Sequence, residues 1–487
     1  MKEETKKKKV GKKKVFRRLF FVSVFISILT LGALYFLNIL PFIYFIILAC
    51  ILFGYDFLMA LFMLSKGWKR RLFGTIFTGI KMVGMFFILF YSMSTMNFLH
   101  KMNGGNYNTE NYSVVVLNQS DYEKVKDIQD KKVGIVKLGD DKGLLEAKLY
   151  LSKKVAVEYV EFEDLDSLAS ALLKQNVDAI LLEETEKKLL EESNELLDKG
   201  RVIYEFSIDI EIEDGLVKNV NIVKEPFNIF VSGIDSYGKI TSVSRSDVNM
   251  LVTVNPITHK VLLTSIPRDY YVSLHGITSK YKDKITHAGI HGIDTSVKTV
   301  EDLLDVDINY YAKVNFTSLV DIVDELGGVD IELDKGFKAY YIDGKNTVNY
   351  TFQKGNNHLN GKQALAFARE RKSLALGDVG RVMHQQMLLE AILNKVLSKN
   401  IMIKYNDLLN AMNGKFVTNF GTENITKLVK QQLKDMSSWE IDKYTLEGTD
   451  AHEYTYTYKN TKSYVMMPDV ESIQTAKEKI KSILAEN

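Results

Sequence analysis

The chain has 487 residues, 46% of them hydrophobic and 25% charged, and a formal net charge of +2. That is enough for roughly two or three domains plus a membrane anchor and too apolar for a disordered chain, and the single cysteine, Cys50, excludes an internal disulfide. The near-neutral total hides 16 lysines and arginines against three acids in residues 1–101, which leaves the remainder acidic by about 11. A basic head on an acidic body reads as membrane topology and argues against nucleic-acid binding.

Residues 6–18 are mostly basic, and 1–18 are expected to form a cytoplasmic tail. Three apolar stretches follow within 19–98, at 19–37, 42–64 and 72–98, each long enough to cross ~30 Å of hydrocarbon. Asn38 to Pro41 supplies a turn, and Ser65 to Arg71 a basic loop. The positive-inside rule then places the N-terminus in the cytoplasm and everything after about residue 100 outside. A multi-pass protein of the cell membrane, in contact with the lipid bilayer, is expected. Asp56 falls inside the second stretch and is expected to face a neighbouring span or a polar defect.

Residues 107–215 alternate strands and helices. Strands are expected at 113–117, 132–136, 155–162 and 177–183. Helices are expected at 142–152, at 165–175 behind an Asp164 cap, and at 184–197. This is a small α/β accessory domain with some parallel pairing, similar in its punctuation to half of a solute-binding domain. It carries no catalytic constellation and suits either an interaction or a ligand-binding module.

Residues 217–487 open with three apolar runs, at 227–235, 244–254 and 260–269, joined by short connections. The spacing predicts an antiparallel meander. One edge of it would carry Asp235, Arg245, Asp247, Arg268 and Asp269, and carboxylates crowded with guanidinium groups point to a magnesium and phosphate site. A helix is expected at 299–304, a strand at 309–316, a helix at 319–326 ended by Gly327-Gly328, and a strand at 329–333. Good helix formers fill 363–368. Arg369 and Arg371 are two apart, so the helix is expected to end near Arg369 and let both face one site. Asp378, Arg381 and Gln385 stack on one face at the start of the next helix, a favourable place for a pyrophosphate. The aromatic residues of 340–350 and 416–420 suit either a core or a groove, and 454–458 alternates Tyr with Thr as an edge strand does.

Gly233-Ile234-Asp235, Ser244 to Asp247, Ser265 to Asp269, Lys284-Ile285, Gly327 to Val329, Leu359 to Gly361, Ala368 to Lys372 and Asp378 to Gln386 together resemble the LytR-CpsA-Psr family of Gram-positive envelope proteins. The resemblance covers about residues 225–400, and the three spans with an inserted α/β module further resemble its capsule-associated branch. It implies an α/β sandwich catalytic domain with a mixed sheet, over 217–487, behind the anchor and the accessory domain. It implies a magnesium-dependent phosphotransferase that moves a polyprenyl-pyrophosphate-linked polysaccharide, a capsular one in that branch, onto peptidoglycan. Carried over by position, Asp235 and Asp247 are the Mg²⁺ acids. Arg245, Arg268, Arg369, Arg371, Arg381 and Gln385 hold the pyrophosphate. Arg268, Arg369, Arg371 and Asp378 take part in catalysis. Thr286 stands where members commonly have Asn, a departure expected to touch none of the charged positions. Asp269 is expected in a structural ion pair with a neighbouring Arg, with a role as general base as the alternative. Two other functions fit the same residues: a polyprenyl-pyrophosphate phosphatase with water as acceptor, and a non-catalytic membrane regulator working with capsule-synthesis membrane proteins.

Overall fold

The structure, a computed structural model, describes residues 2–37, 42–65, 67–102, 107–136, 142–193, 199–211, 218, 220–234, 244–343, 346–375, 377–397, 416–435 and 437–486. Two compact units divide the chain. One holds the N-terminal helices to Asn103 together with Gly421–Ser438. The other holds most of the remainder.

The N-terminal unit is built from α1 (Lys2–Leu37), α2 (Phe42–Leu64) and α3 (Trp68–Met102). Arg18–Phe36, Phe42–Leu64 and Trp68–Met93 are long and apolar enough to cross a membrane. Among apolar side chains that face outward sits one buried polar knot drawn from all three helices. Ser23 and Ser27, one turn apart on α1, donate to the Asp56 carboxylate on α2 at 2.8 and 3.0 Å. Lys81 of α3 reaches the same carboxylate at 2.6 Å and the Ser27 hydroxyl at 2.6 Å. Asp56 therefore faces neighbouring spans, and its partner there is a lysine. An ion pair costs so much to leave half-made in hydrocarbon that it fixes which helix faces meet.

The second unit opens with a five-stranded sheet in the order β3-β2-β4-β1-β5. Its members are β1 (Tyr107–Leu117), β2 (Lys132–Val136), β3 (Glu158–Phe162), β4 (Ala179–Glu183) and β5 (Gly200–Glu211). β2 pairs in parallel with β3 and β4, while β1 runs antiparallel to β4 and β5. Three helices pack here: α4 (Lys142–Ser152), α5 (Leu165–Leu173, capped by the Asp164 side chain) and α6 (Glu184–Ser193). The sequence reading starts one strand too early, at 155: Val155 still bonds back to the Leu151 carbonyl as the tail of α4. It also misses β5, whose polar–apolar alternation is interleaved with acids.

The meander forms as expected. β6 (Phe227–Ile234), β7 (Ser246–Asn255) and β8 (Lys260–Ile266) pair antiparallel in sequence. They are the centre of a six-stranded mixed sheet in the order β16-β11-β6-β7-β8-β17. The short ribbon of β9 (Tyr271–Val272) and β10 (Asp283–Lys284) follows β8 and leads into a 3₁₀ turn, Ile285–His291. Next come α7 (Ile293–Leu304), β11 (Tyr310–Asn315) and α8 (Phe316–Glu325). β11 runs parallel to β6. The sequence signal for α7 begins six residues late because its cap, Gly292 at φ 101°, offers no capping side chain. Gly327 and Gly328 end α8 at φ 74° and 84°, as anticipated.

Two ribbons lie beyond α8: β12 (Val329–Leu333) with β15 (Gly355–Leu359), and β13 (Phe337–Asp343) with β14 (Asn346–Phe352). α9 (Gly361–Arg369) starts with a capping box in which Asn360 accepts from the Gln363 amide and Gln363 reaches back to the Asn360 amide. A side chain at Gly361 would lie 2.2 Å from the Val320 carbonyl, so glycine permits the close crossing of α8 and α9. α10 (Gly377–Val396), β16 (Phe416–Thr418), α11 (Thr422–Asp435), β17 (Glu440–Thr445), β18 (Gly448–Glu453), β19 (Ser463–Pro468) and α12 (Val470–Ala485) complete the order.

Alternation along the sheet sends side chains to two cores. Phe230, Leu251 and Leu262 join α7 and α12 on one face. The other face is covered by α8, α9 and α10, with Leu365, Phe367 and Leu388 in a second core. Phe420 stacks on Phe227 and meets Tyr310 edge to face, so that aromatic run is core. The 454–458 segment is a loop rather than the expected edge strand. The fully buried Asp283 carboxylate captures the amide and hydroxyl of Thr457 at 2.9 and 2.6 Å, which turns the backbone away from any ladder.

Replacing either charge of the helical knot alone, Asp56→Leu or Lys81→Leu, is expected to destabilise the full-length protein in detergent by about 3–5 kcal/mol. The double substitution should recover more than half of that in the same thermal-unfolding measurement. Single variants as stable as the wild type would show that the knot fixes nothing.

Candidate active site

Between the meander and the helices α8, α9 and α10 lies a cavity of about 430 Å³, within the range that takes a ligand (about 300–1,000 Å³). Its inner wall is apolar, with Val248 and Met250 from β7, Leu319 from α8, Leu365 from α9, and Leu388 and Ile392 from α10. The rest of its lining is largely charged. Among the described residues, Arg245, Arg268, Arg369, Arg371, Lys372 and Arg381 line it together with Asp247 and Glu370. An amphiphile with an anionic head and a hydrocarbon body matches both surfaces.

Each arginine is held by the element that delivers it. Arg268 follows β8 directly and Asp247 opens β7 beside it; Nη1 of Arg268 donates to Oδ1 of Asp247 at 2.7 Å. Burial opposes its charge, but Asp247 and Asp269 together hold the Arg268 guanidinium above its ordinary pKa. Arg369 is the last residue of α9, and its guanidinium lies 4.3 Å from the centre of the Phe316 ring. The backbone turns extended at Glu370, so the predicted end of the helix is observed and Arg371 lines the same cavity as Arg369. Asp378, Arg381 and Gln385 sit in the first turns of α10. Nη2 of Arg381 is 2.7 Å from Oδ1 of Asp378. Burial, with Arg268 and Arg371 adding to it, pulls the Arg381 pKa below its ordinary value despite Asp378. Gln385 donates to the Ala368 carbonyl at 3.3 Å, tying α10 to the end of α9. Among the described residues, Nε of Arg381 is a buried donor with no hydrogen-bond acceptor, whereas Nε of Arg268 faces the Asp269 carboxylate.

Asp269 is a structural partner. It lies 3.4 Å from Nε of Arg268 and 3.0 Å from Nζ of Lys284. Burial pushes its carboxyl up, but Arg268 and Lys284 outweigh burial and hold it below the usual carboxylate range. Lys284 had no assigned role from the sequence; only the pairing of β9 with β10 brings it here. Thr286, in contrast to the expectation, does touch a charged position, donating to Oδ1 of Asp247 at 3.3 Å.

The structure thus gathers Arg245, Asp247, Arg268, Arg369, Arg371, Arg381 and Gln385 around one cavity, with Asp378 attached through Arg381. Asp235 lies outside the described residues. Sequence reasoning missed Glu370, Lys372, Phe316 and the apolar wall; Tyr340, left open between core and groove, lines the cavity and is 44% exposed. As for a divalent cation, only Oδ1 of Asp247 is engaged among the described residues. Its other oxygen, beside a cavity that takes phosphate, fits a magnesium ion, which uses one or two carboxylates and fills its shell from phosphate and water.

Asp269 has the depressed carboxyl pKa, so its stabilisation is complete above the unfolded value of about 4 and is lost as pH falls through the lower folded value. Asp269→Asn should lower the unfolding free energy at pH 7 by about 1–3 kcal/mol. It should also flatten the acid limb of a stability–pH curve below pH ~4. An unchanged acid limb would show that Asp269 is not the paired group.

The model of the LytR_cpsA_psr family matches residues 187–481. The polyisoprenyl-teichoic acid–peptidoglycan teichoic acid transferase TagU of Bacillus mycoides (strain KBAB4) is 40% identical over 235 residues, 48% of this chain and 73% of that protein. The transferase TagV of Bacillus subtilis (strain 168), of the same description, is 32% identical over 274 residues, 55% of this chain and 66% of that one. The crystal structure of B. subtilis TagV aligns at 30% identity and a TM-score of 0.45, covering 54% of this chain and 99% of that chain.

Proposed function

The chain belongs to the LytR_cpsA_psr family, and on that basis we propose that it transfers a polyprenyl-pyrophosphate-linked glycopolymer, together with its sugar phosphate, onto a hydroxyl of peptidoglycan. The observation that carries this reading is the cavity: six cationic side chains and a set of apolar ones line the same space. Relatives named as polyisoprenyl-teichoic acid–peptidoglycan transferases support it. Capsular polysaccharide is the polymer expected for this chain. The basic residues before the first span and between the second and third favour a cytoplasmic N-terminus and a second unit outside, the side where peptidoglycan is found.

The apolar wall takes the first isoprene units and leaves the pyrophosphate among the guanidinium groups. Arg268 and Arg381, each pinned by its acid, line the cavity where the phosphate oxygens would lie. Arg369 and Arg371, more exposed, close over the reacting phosphorus. The acceptor oxygen attacks that phosphorus, a new P–O bond forms, and the bond to the bridging oxygen breaks to release polyprenyl phosphate. Charge accumulates on the equatorial and leaving oxygens, where fixed guanidinium groups lower the barrier without reorganising. The acceptor's proton goes to Asp378. Asp269 is the poorer base because Arg268 and Lys284 hold its carboxylate ionised. Asp247, together with Asp235, would hold a magnesium ion, which would supply further charge neutralisation at the phosphates.

The test uses the full-length protein in detergent, lipid-linked polymer and purified peptidoglycan. Covalent polymer–peptidoglycan product and free polyprenyl phosphate should appear together, and chelation should abolish both. Asp247→Asn and the pair Arg369→Ala with Arg371→Ala should each lower kcat/KM by about 100-fold or more, the arginine pair leaving the thermal transition in place. Offering capsular and teichoic donors side by side decides the polymer. Undiminished lipid phosphate release without peptidoglycan would instead identify a phosphatase.

A further inference from the structure

A second surface next to the cavity is built at some cost and is unused by the chemistry above. Tyr281, before β10, and Tyr454, after β18, stand with ring centroids 6.0 Å apart at 44°. Tyr454 is 37% exposed. Each ring of the group has an ammonium over it: Lys280 at 4.7 Å from Tyr281, Lys462 at 5.6 Å from Tyr454, and Lys459 at 5.2 Å from Tyr456.

The loop that presents these rings is rigid. The Tyr271 hydroxyl donates to the Tyr454 carbonyl at 2.8 Å, and the Tyr456 amide to the Lys282 carbonyl at 3.0 Å. Beneath them Asp283, fully buried, takes Thr457 on one oxygen and His287, at 2.7 Å, on the other. Burying a carboxylate to brace a surface loop is costly, and a loop that served only as a connection would not need it. A preorganised aromatic face reduces the entropy lost when something docks there.

A path of side-chain and ribbon contacts links the patch to the catalytic residues. Tyr271 pairs with Lys284 across the β9–β10 ribbon, and Lys284 is 3.0 Å from Asp269, the neighbour of Arg268. Tyr464, on β19, donates to Asp450 at 2.8 Å. Burial raises its phenol pKa, and Asp450 adds to the shift.

We infer that the Tyr281–Tyr454 platform with Lys280, Lys459 and Lys462 is the docking surface for the acceptor glycan strand, which it holds so that one sugar hydroxyl reaches the cavity beside Asp378. Pyranose rings present apolar C–H faces that lie on aromatic rings, and their rim of hydroxyl and carboxylate groups meets the ammonium groups. The donor already fills the cavity, and the acceptor must arrive from a contiguous surface. This inference rests on the transferase reading and names the place of its second substrate.

Full-length protein in detergent micelles is mixed with insoluble peptidoglycan stripped of wall polymer, and the bound fraction is read after sedimentation. Tyr281→Ala with Tyr454→Ala should weaken binding about 10-fold and raise the acceptor KM to match. The same pair changed to Phe should bind as the wild type, which guards against a folding defect because the rings are kept. Arg369→Ala with Arg371→Ala should lose polyprenyl-pyrophosphate binding yet sediment normally. That contrast separates failure of this inference from failure of the transferase assignment. Undiminished sedimentation of the Ala pair overturns the inference, and so does a loss confined to vesicles of anionic lipid, which would make the patch a membrane contact.

Discussion

Mutual repulsion among guanidinium groups is the constraint around which the larger domain is arranged. Arg245, Arg268, Arg369, Arg371 and Arg381 share one cavity. Three of them are tethered. Asp247 holds Arg268, Asp378 holds Arg381, and the face of Phe316 holds Arg369. Each tether comes from the end of a regular element. The meander brings the start of β7 to the end of β8. The break between α9 and α10 carries the remaining groups, and Gly361 lets α9 lie close enough to α8 for Phe316 to reach Arg369.

The tethers divide the acids into two kinds. Asp269 spends its capacity on Arg268 and Lys284 and is thereby a poor proton acceptor. Asp247 keeps one oxygen beside the cavity. Environment, and not residue type, decides which carboxylate braces and which reacts. Thr286, one residue into the 3₁₀ turn, adds a hydroxyl to Asp247 and binds that turn to the site.

Much of this was legible in the sequence because the signals are short-ranged. The meander was readable from three apolar runs with short connections, and the end of α9 from two arginines spaced two apart. The stack of Asp378, Arg381 and Gln385 followed from helical periodicity. What escaped depends on contacts far apart in sequence. Lys284 reaches Asp269 only through a two-residue ribbon, and the apolar wall draws on β7, α8, α9 and α10 at once. The Tyr–Thr alternation at 454–458 has a strand's period, yet a buried carboxylate from β10 outbids the ladder for its backbone. Propensity sees the period and not the competitor.

A cleft lined with repelling cations stores energy while it is empty, and a bound diphosphate releases it. Binding to the native state alone raises its unfolding free energy by RT ln(1 + [L]/Kd), about 2.7 kcal/mol when ligand stands at a hundredfold excess over Kd. Supply of lipid-linked polymer therefore governs more than turnover: a cell that stops making the donor leaves this protein in its less durable form, open to proteolysis, so its abundance follows the traffic it serves.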